Sequence, residues 1–143
     1  MPDENLFLEE QHSSSRRFAV LEDDGTSAWL YLTNPDSRKP SGDAWVFNCI
    51  PAPPSTAIKS YRGGPPPAAQ GFASDTALCR APTKHQWSFV WATDGESVAV
   101  LMDDSPVACI VAGTKGGFSR ELVKDGPWGH PWFAHVYEET FGL

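Results

Sequence analysis

The chain lacks the features that would carry it out of water or cross-link it. No apolar run approaches the ~20 residues needed to span a bilayer. The start, MPDENLFLEEQHSSSRR, has neither the basic beginning nor the apolar stretch of a secretory signal. Cysteine is scarce. Cys49, Cys79 and Cys109 are odd in number, widely spaced and form no C-x-x-C pair, so neither a disulfide framework nor a zinc knuckle is indicated. Reduced thiols in a cytoplasmic setting are the simplest expectation. Positive charge is also short: 11 Lys and Arg face 18 Asp and Glu, leaving −7 and a pI near 4.9. That balance argues against a nucleic-acid backbone or an anionic membrane as partner and is compatible with a cationic protein partner. It leaves the oligomeric state open.

Cofactor signatures are missing as well. GTKGG (113–117) has glycines and a lysine but not the Walker spacing, and no acidic segment follows the D-x-[DN]-x-[DN]-G loop pattern. Ser119 does not sit in a G-x-S-x-G elbow. No cofactor is expected.

What is present suits one domain. The chain has 143 residues, 41% of them apolar, with 12 glycines and 13 prolines that demand many turns. Residues 1–15 carry four acids and no base, and read as an acidic disordered leader, although Leu6, Phe7 and Leu8 offer something to dock. Residues 16–143 read as a single β-rich domain. RRFAVLE and SAWLYLT flank Asp24-Gly25, and a type I′ turn there pairs Leu21 with Ala28, Val20 with Trp29, Ala19 with Leu30 and Phe18 with Tyr31. AWVFNCI (44–50) is a third strand. The stretch 51–82 holds seven prolines without periodicity, and a loop of that length is expected to be functional or disordered.

The clearest pattern lies in 86–112. A turn at Asp94-Gly95 opposes Trp91 with Val98, Phe89 with Val100 and Trp87 with Met102. A second turn at Asp104-Ser105 sends Val107, Cys109 and Val111 to the same face. Val90, Ala99, Leu101, Ala108 and Ile110 form a smaller apolar face behind it, which calls for a sheet covered on both sides or strongly curled. FSREL reads as a short strand. Pro131 opens a helix of about three turns, with Trp132 over Val136, Phe133 over Tyr137, and Phe141 beyond. The expected fold is α+β: mainly an antiparallel meander of roughly five or six strands in a curled sheet, with one C-terminal helix packed on it.

The order LEDDGTSAWLYLT, WSFVWATDGESVAVLMDDSPVACIV, GGFSREL and PWGHPWF resembles an uncharacterised family of small bacterial proteins, a domain of unknown function with an EDDG hairpin and a C-terminal aromatic helix. The likeness excludes the leader and the proline-rich loop. It implies a fold, brings no catalytic residues and specifies no reaction.

Candidate chemistry is thin. Glu22, Asp23 and Asp24 are weak metal candidates, because a hard cation needs six to eight converging oxygens and the register sends Glu22 and Asp23 to opposite faces. A structural turn is preferred. His130 and His135 miss the i, i+4 spacing of a helical metal pair, and His130, in PWGHPW, reads as packing at a helix entrance. Cys79 lies beside Arg80, but a thiol nucleophile also needs a histidine within reach, so an inert thiol is preferred. Most tryptophans belong to the core; Trp29, Trp45, Trp128 and Trp132, with His130, are the candidates for a ligand groove or partner contact. Three function classes follow. First comes a non-catalytic protein-binding module, such as a bacterial toxin-neutralising immunity protein. A small-molecule binder using an aromatic-lined concave sheet is second, and an enzyme of unrecognised type third.

Overall fold

A computed structural model describes residues 5–60 and 65–142, the side chains of Lys59 and Ser60 excepted. The chain is mostly β with one C-terminal helix, so the α+β class stands. The single curled meander is corrected to two sheets. Strands β1 (Phe7–Gln11), β2 (Phe18–Asp23), β3 (Ser27–Thr33) and β4 (Pro40–Asn48) form a first, antiparallel sheet in chain order. A second sheet runs in order through β5 (Trp87–Trp91), β6 (Val98–Met102), β7 (Ser105–Ile110), β8 (Phe118–Ser119) and β9 (His130–Pro131), the last pairing parallel.

The sheets share one interior. Leu21, Leu30 and Val46 of the first meet Val98, Val100, Ala108 and Ile110 of the second, and Phe47 stacks on Trp87 at 5.5 Å. Burying each such side chain contributes roughly 1.5–3 kcal/mol. On one margin the sheets nearly touch. A Cβ on Gly117 would lie 2.3 Å from the Ala44 Cβ, and one on Gly42 would lie 2.9 Å from Ile110 Cγ2, so only glycine fits either place. Elsewhere Arg17 clamps Glu96 through two nitrogens, at 3.0 and 3.1 Å, tying β2 to the β5–β6 turn.

The β5–β6 register is as expected, with Trp91 opposite Val98, Phe89 opposite Val100 and Trp87 opposite Met102. The first hairpin is displaced by two residues: Leu21 opposes Leu30, and Asp23 opposes Ala28. The physical reason lies in the turn. A type I′ turn on Asp24-Gly25 needs positive φ at both, yet only Gly25 has it (φ 90°), and the Asp24 N–H donates to the Ser27 carbonyl at 3.2 Å. Gly25 and Thr26 are therefore the central pair, with glycine first. A shift of two keeps every side chain on its expected face.

The β6–β7 turn uses Asp103 and Asp104, both at positive φ (50° and 69°), rather than Asp104 and Ser105. An irregularity then skips Val107, so Ala108 and Ile110 point into the shared interior while Cys109 points out. One extra residue in one strand reverses the parity of all that follows.

Three further expectations change. Phe7–Gln11, placed in a disordered leader, is a strand on β2, with Phe7 opposite Glu22 and Leu8 opposite Leu21; residues 1–4 lie outside the described residues. The helix α1 spans only Ala134–Phe141, because Pro131 is held in β9 and Phe133 is extended. Proline is tolerated there because β9 is an edge. Phe133 consequently stands exposed, while Tyr137, Val136 and Phe141 pack on Ala99, Leu101 and Cys109.

The proline-rich segment is a lid rather than a free loop. It carries a 3-10 helix at Ser55–Ser60, and buried Ala68, Ala69 and Ala77 press on Trp29 and Trp45 from outside the first sheet. Asn48 holds it. Its amide oxygen accepts from the Ala68 N–H (2.8 Å) and the Trp45 indole (3.0 Å), and its NH₂ donates to the Ala68 carbonyl (2.9 Å). The backbone adds the Asn48 N–H to the Ala77 carbonyl and the Cys79 N–H to the Asn48 carbonyl, both 2.8 Å. Residues 61–64 of this segment lie outside the described residues.

Candidate functional site

The tryptophans divide into two groups. Trp29, Trp45 and Trp128 come together under the lid, all buried, with the Trp29 indole on Ser27 Oγ (3.2 Å) and the Trp128 indole on the Pro66 carbonyl (3.3 Å). Their faces are occupied by protein. Trp132 lies apart, against Tyr137 at 5.3 Å and beneath the Arg120 guanidinium at 4.8 Å. His130 is near neither group's centre. It packs on Phe118, with Nδ1 2.8 Å from Asp125 and Nε2 2.8 Å from the Lys115 carbonyl. Two acceptors favour the doubly protonated ring, so the Lys115 carbonyl, then Asp125, raise its pKa above the usual histidine value.

The three acids of the first turn do different jobs. Asp23 is buried, and its carboxylate accepts from the backbone N–H groups of Leu6 and Gly25. Asp24 accepts from the Thr26 and Ser27 N–H groups (2.9 and 3.1 Å). Glu22 stands exposed on the outer face of the first sheet. Among the described residues no three His, Cys, Asp or Glu side chains are grouped to hold a metal ion.

Glu22 leads to a feature that tryptophan counting misses. Pairing places Phe7, Phe18, Val20, Glu22, Tyr31 and Asp43 on the outer face of the first sheet, beside the part the lid covers. Tyr31 sits half-buried there. Burial first, then the charges of Asp43, Glu22 and Asp24, push its hydroxyl up to about 12. Three carboxylates thus act on one ring. Neither Glu22 nor Asp43 has an ion-pair or hydrogen-bond partner among the described residues. Phe7, 56% exposed, extends the apolar part outward, and Arg38 lies over the Phe18 ring at 4.1 Å. The signal was present in the alternation, which puts Tyr31 with Trp29 and Glu22, but Asp43 lies just before the strand read at 44–50.

Asp43 also walls an open groove of about 690 Å³, together with Pro40, Gly42, Lys115, Gly116 and His130. Burial lifts its carboxyl above the ordinary range. The lining of the groove mixes polar and apolar groups and holds no Trp, Tyr or Phe, so it is not the aromatic concavity expected of a small-molecule site. Burial works against the thiolate at each cysteine: it pushes Cys49 and Cys109 up to about 12 and raises Cys79 as well. No family model, curated protein or solved structure matches the chain.

Proposed function

We propose that the chain is a non-catalytic protein-binding module that receives a cationic protein on the outer face of its first sheet, in the manner of a toxin-neutralising immunity protein acting in a bacterial cytoplasm. The likeness to a family of small uncharacterised bacterial proteins belongs to this same reading. The observation that carries it is Tyr31, half-buried beside the lid cluster, with Asp43 opposite it and Glu22 diagonal to it on the outer face, and Asp24 in the adjoining turn. An apolar ring flanked by two carboxylates without side-chain partners, Glu22 and Asp43, suits lysine or arginine side chains, which lay their stems on the ring and their charges on the acids. Phe7 supplies exposed apolar area of the kind that anchors interfaces.

The test is co-expression with a toxic product encoded beside the gene. The unaltered chain rescues growth, whereas Glu22→Lys with Asp43→Lys does not, although it folds, as its cooperative thermal unfolding checks. Failure of the unaltered chain to rescue, or full rescue by the double variant, overturns the reading. The groove at Asp43 and His130 favours a second reading, a small-molecule binder. A metabolite seated there raises the melting temperature with its concentration, and Lys115→Ala abolishes the rise while leaving the rescue intact.

A further inference from the structure

The second sheet ends in a strand whose side chains have neighbours, the Trp91 indole donating to Glu10 at 2.8 Å and the Trp87 indole to the Pro82 carbonyl at 2.8 Å, but whose outward backbone groups meet none among the described residues. Edge strands are ordinarily blunted by charge, proline or a covering segment, because their free N–H and C=O groups recruit other strands. β1, the edge of the first sheet, carries Glu9 and Glu10. β5 reads WSFVW and carries no charge and no proline.

The hydrogen-bond phase of β5 is fixed at both ends. The Ala92 N–H donates to the Ser97 carbonyl, and the Asp103 N–H donates to the Gln86 carbonyl. Even-numbered residues of the strand therefore bond to β6. Trp87, Phe89 and Trp91 turn their backbone N–H and C=O groups away from the sheet. No hydrogen bond to another element meets those groups among the described residues. Their side chains are only partly buried at the margin of the shared interior.

We propose that a second copy of this chain pairs antiparallel on β5, so that the two second sheets become one continuous sheet across a two-fold axis at Phe89. The pattern is self-complementary. Centred on Phe89, Trp87 of one copy opposes Trp91 of the other, and Phe89 opposes Phe89. All three pairs are of the doubly hydrogen-bonded kind, since it is these residues whose groups face outward. Shifting the register by two in either direction loses one of the three. The ends agree in charge. Beyond the strand, Lys84 lies in the 3-10 turn before β5 and Asp94 in the β5–β6 turn, both exposed and without an ion partner among the described residues; the two-fold axis brings the Lys84 end of one copy to the Asp94 end of the other. A chain of charge −7 associates with itself most readily through a segment with no charge of its own, and β5 is one, the Glu10 carboxylate being taken up by the Trp91 indole. This edge is separate from the acidic face around Tyr31, so either assignment can fail without the other.

The experiment is light scattering on the eluting full chain from about 1 µM to 1 mM, with thermal unfolding across the same range. The expected result is a mass moving from 15.6 kDa toward twice that value, and a midpoint that rises with concentration. Ser88→Lys with Val90→Lys places charges beside the edge at positions that are not fully buried; it is expected to stay at the mass of one chain with a concentration-independent midpoint. Phe89→Pro removes an outward N–H while sparing the bonds to β6, and is expected to do the same. A wild-type mass of one chain throughout, or a dimer that survives in the folded double variant, overturns the proposal.

Discussion

The two sheets are covered on their outer sides by different means. Over the first lies an irregular, proline-rich lid whose buried polar anchor is Asn48, through hydrogen bonds to the lid backbone and to Trp45. Over the second lies a two-turn helix held by Tyr137, Val136 and Phe141, with no side-chain cap at its start and Gly142 in the left-handed conformation (φ 77°) at its end. The difference is one of cooperativity. A polar anchor with every partner satisfied is secure, but deleting it orphans several buried groups at once. An apolar anchor weakens in proportion to the area removed.

Asn48→Ala therefore gives the largest expected loss. It strands the Ala68 N–H and C=O and the Trp45 indole, and should cost about 3 kcal/mol or more in denaturant unfolding, with early proteolysis in 51–82. A loss below about 1 kcal/mol would show that the lid is held by apolar contact like the helix. Tyr137→Ala should cost less, about 2 kcal/mol, and should erode the helical signal while leaving tryptophan emission from under the lid unchanged. A red-shifted emission in that variant would mean the two covers are coupled.

Thiol chemistry separates the covers further. Cys109 lies beneath the helix and Cys49 beside the lid anchor, both pushed up to about 12, so both should alkylate far more slowly in the native protein than in urea. Tyr137→Ala should hasten labelling of Cys109 and spare Cys49; Asn48→Ala should do the reverse, and equal acceleration of both would erase the distinction. The smallest effect expected is that of pH at His130, which belongs to the short β8–β9 pairing. Its folded pKa is raised above about 6.5, so its contribution is complete below that value and is lost as pH rises through the folded pKa. The slope of stability against pH in this window should flatten in Asp125→Asn, and an unchanged slope would assign it to another group.

The same contrast explains what could be read in the chain beforehand. The helix announces itself through aromatics four apart, and the β5–β6 hairpin through strict alternation about Asp94-Gly95, because both depend on neighbours in sequence. Faces on β2 and β3 were readable even though their register was two residues off, since parity survives such a slip. The lid was not readable. Its order comes from Asn48, an ordinary polar residue until the chain brings Ala68 and Ala77 to it. Phe7–Gln11 was hidden by its two glutamates, which suit an edge strand as well as a solvated tail. The skip at Val107 has no local marker, and it moved Ala108 and Ile110 to the interior. Of the candidate site, the tryptophans drew attention by rarity, while Tyr31 and Asp43 needed the register of β3 on β4.

The near-contact of Gly117 with Ala44 gives the sandwich the mechanics of a wedge. Its thin margin is made of backbone and methyl groups, and its thick margin is filled by Trp87, Phe89 and Trp91. A side chain added at Gly117 acts as a shim: it cannot be absorbed where it stands, and the opening it forces is greatest at the opposite lip. Damage at this thin margin is therefore felt at the aromatic edge, at the full width of the molecule.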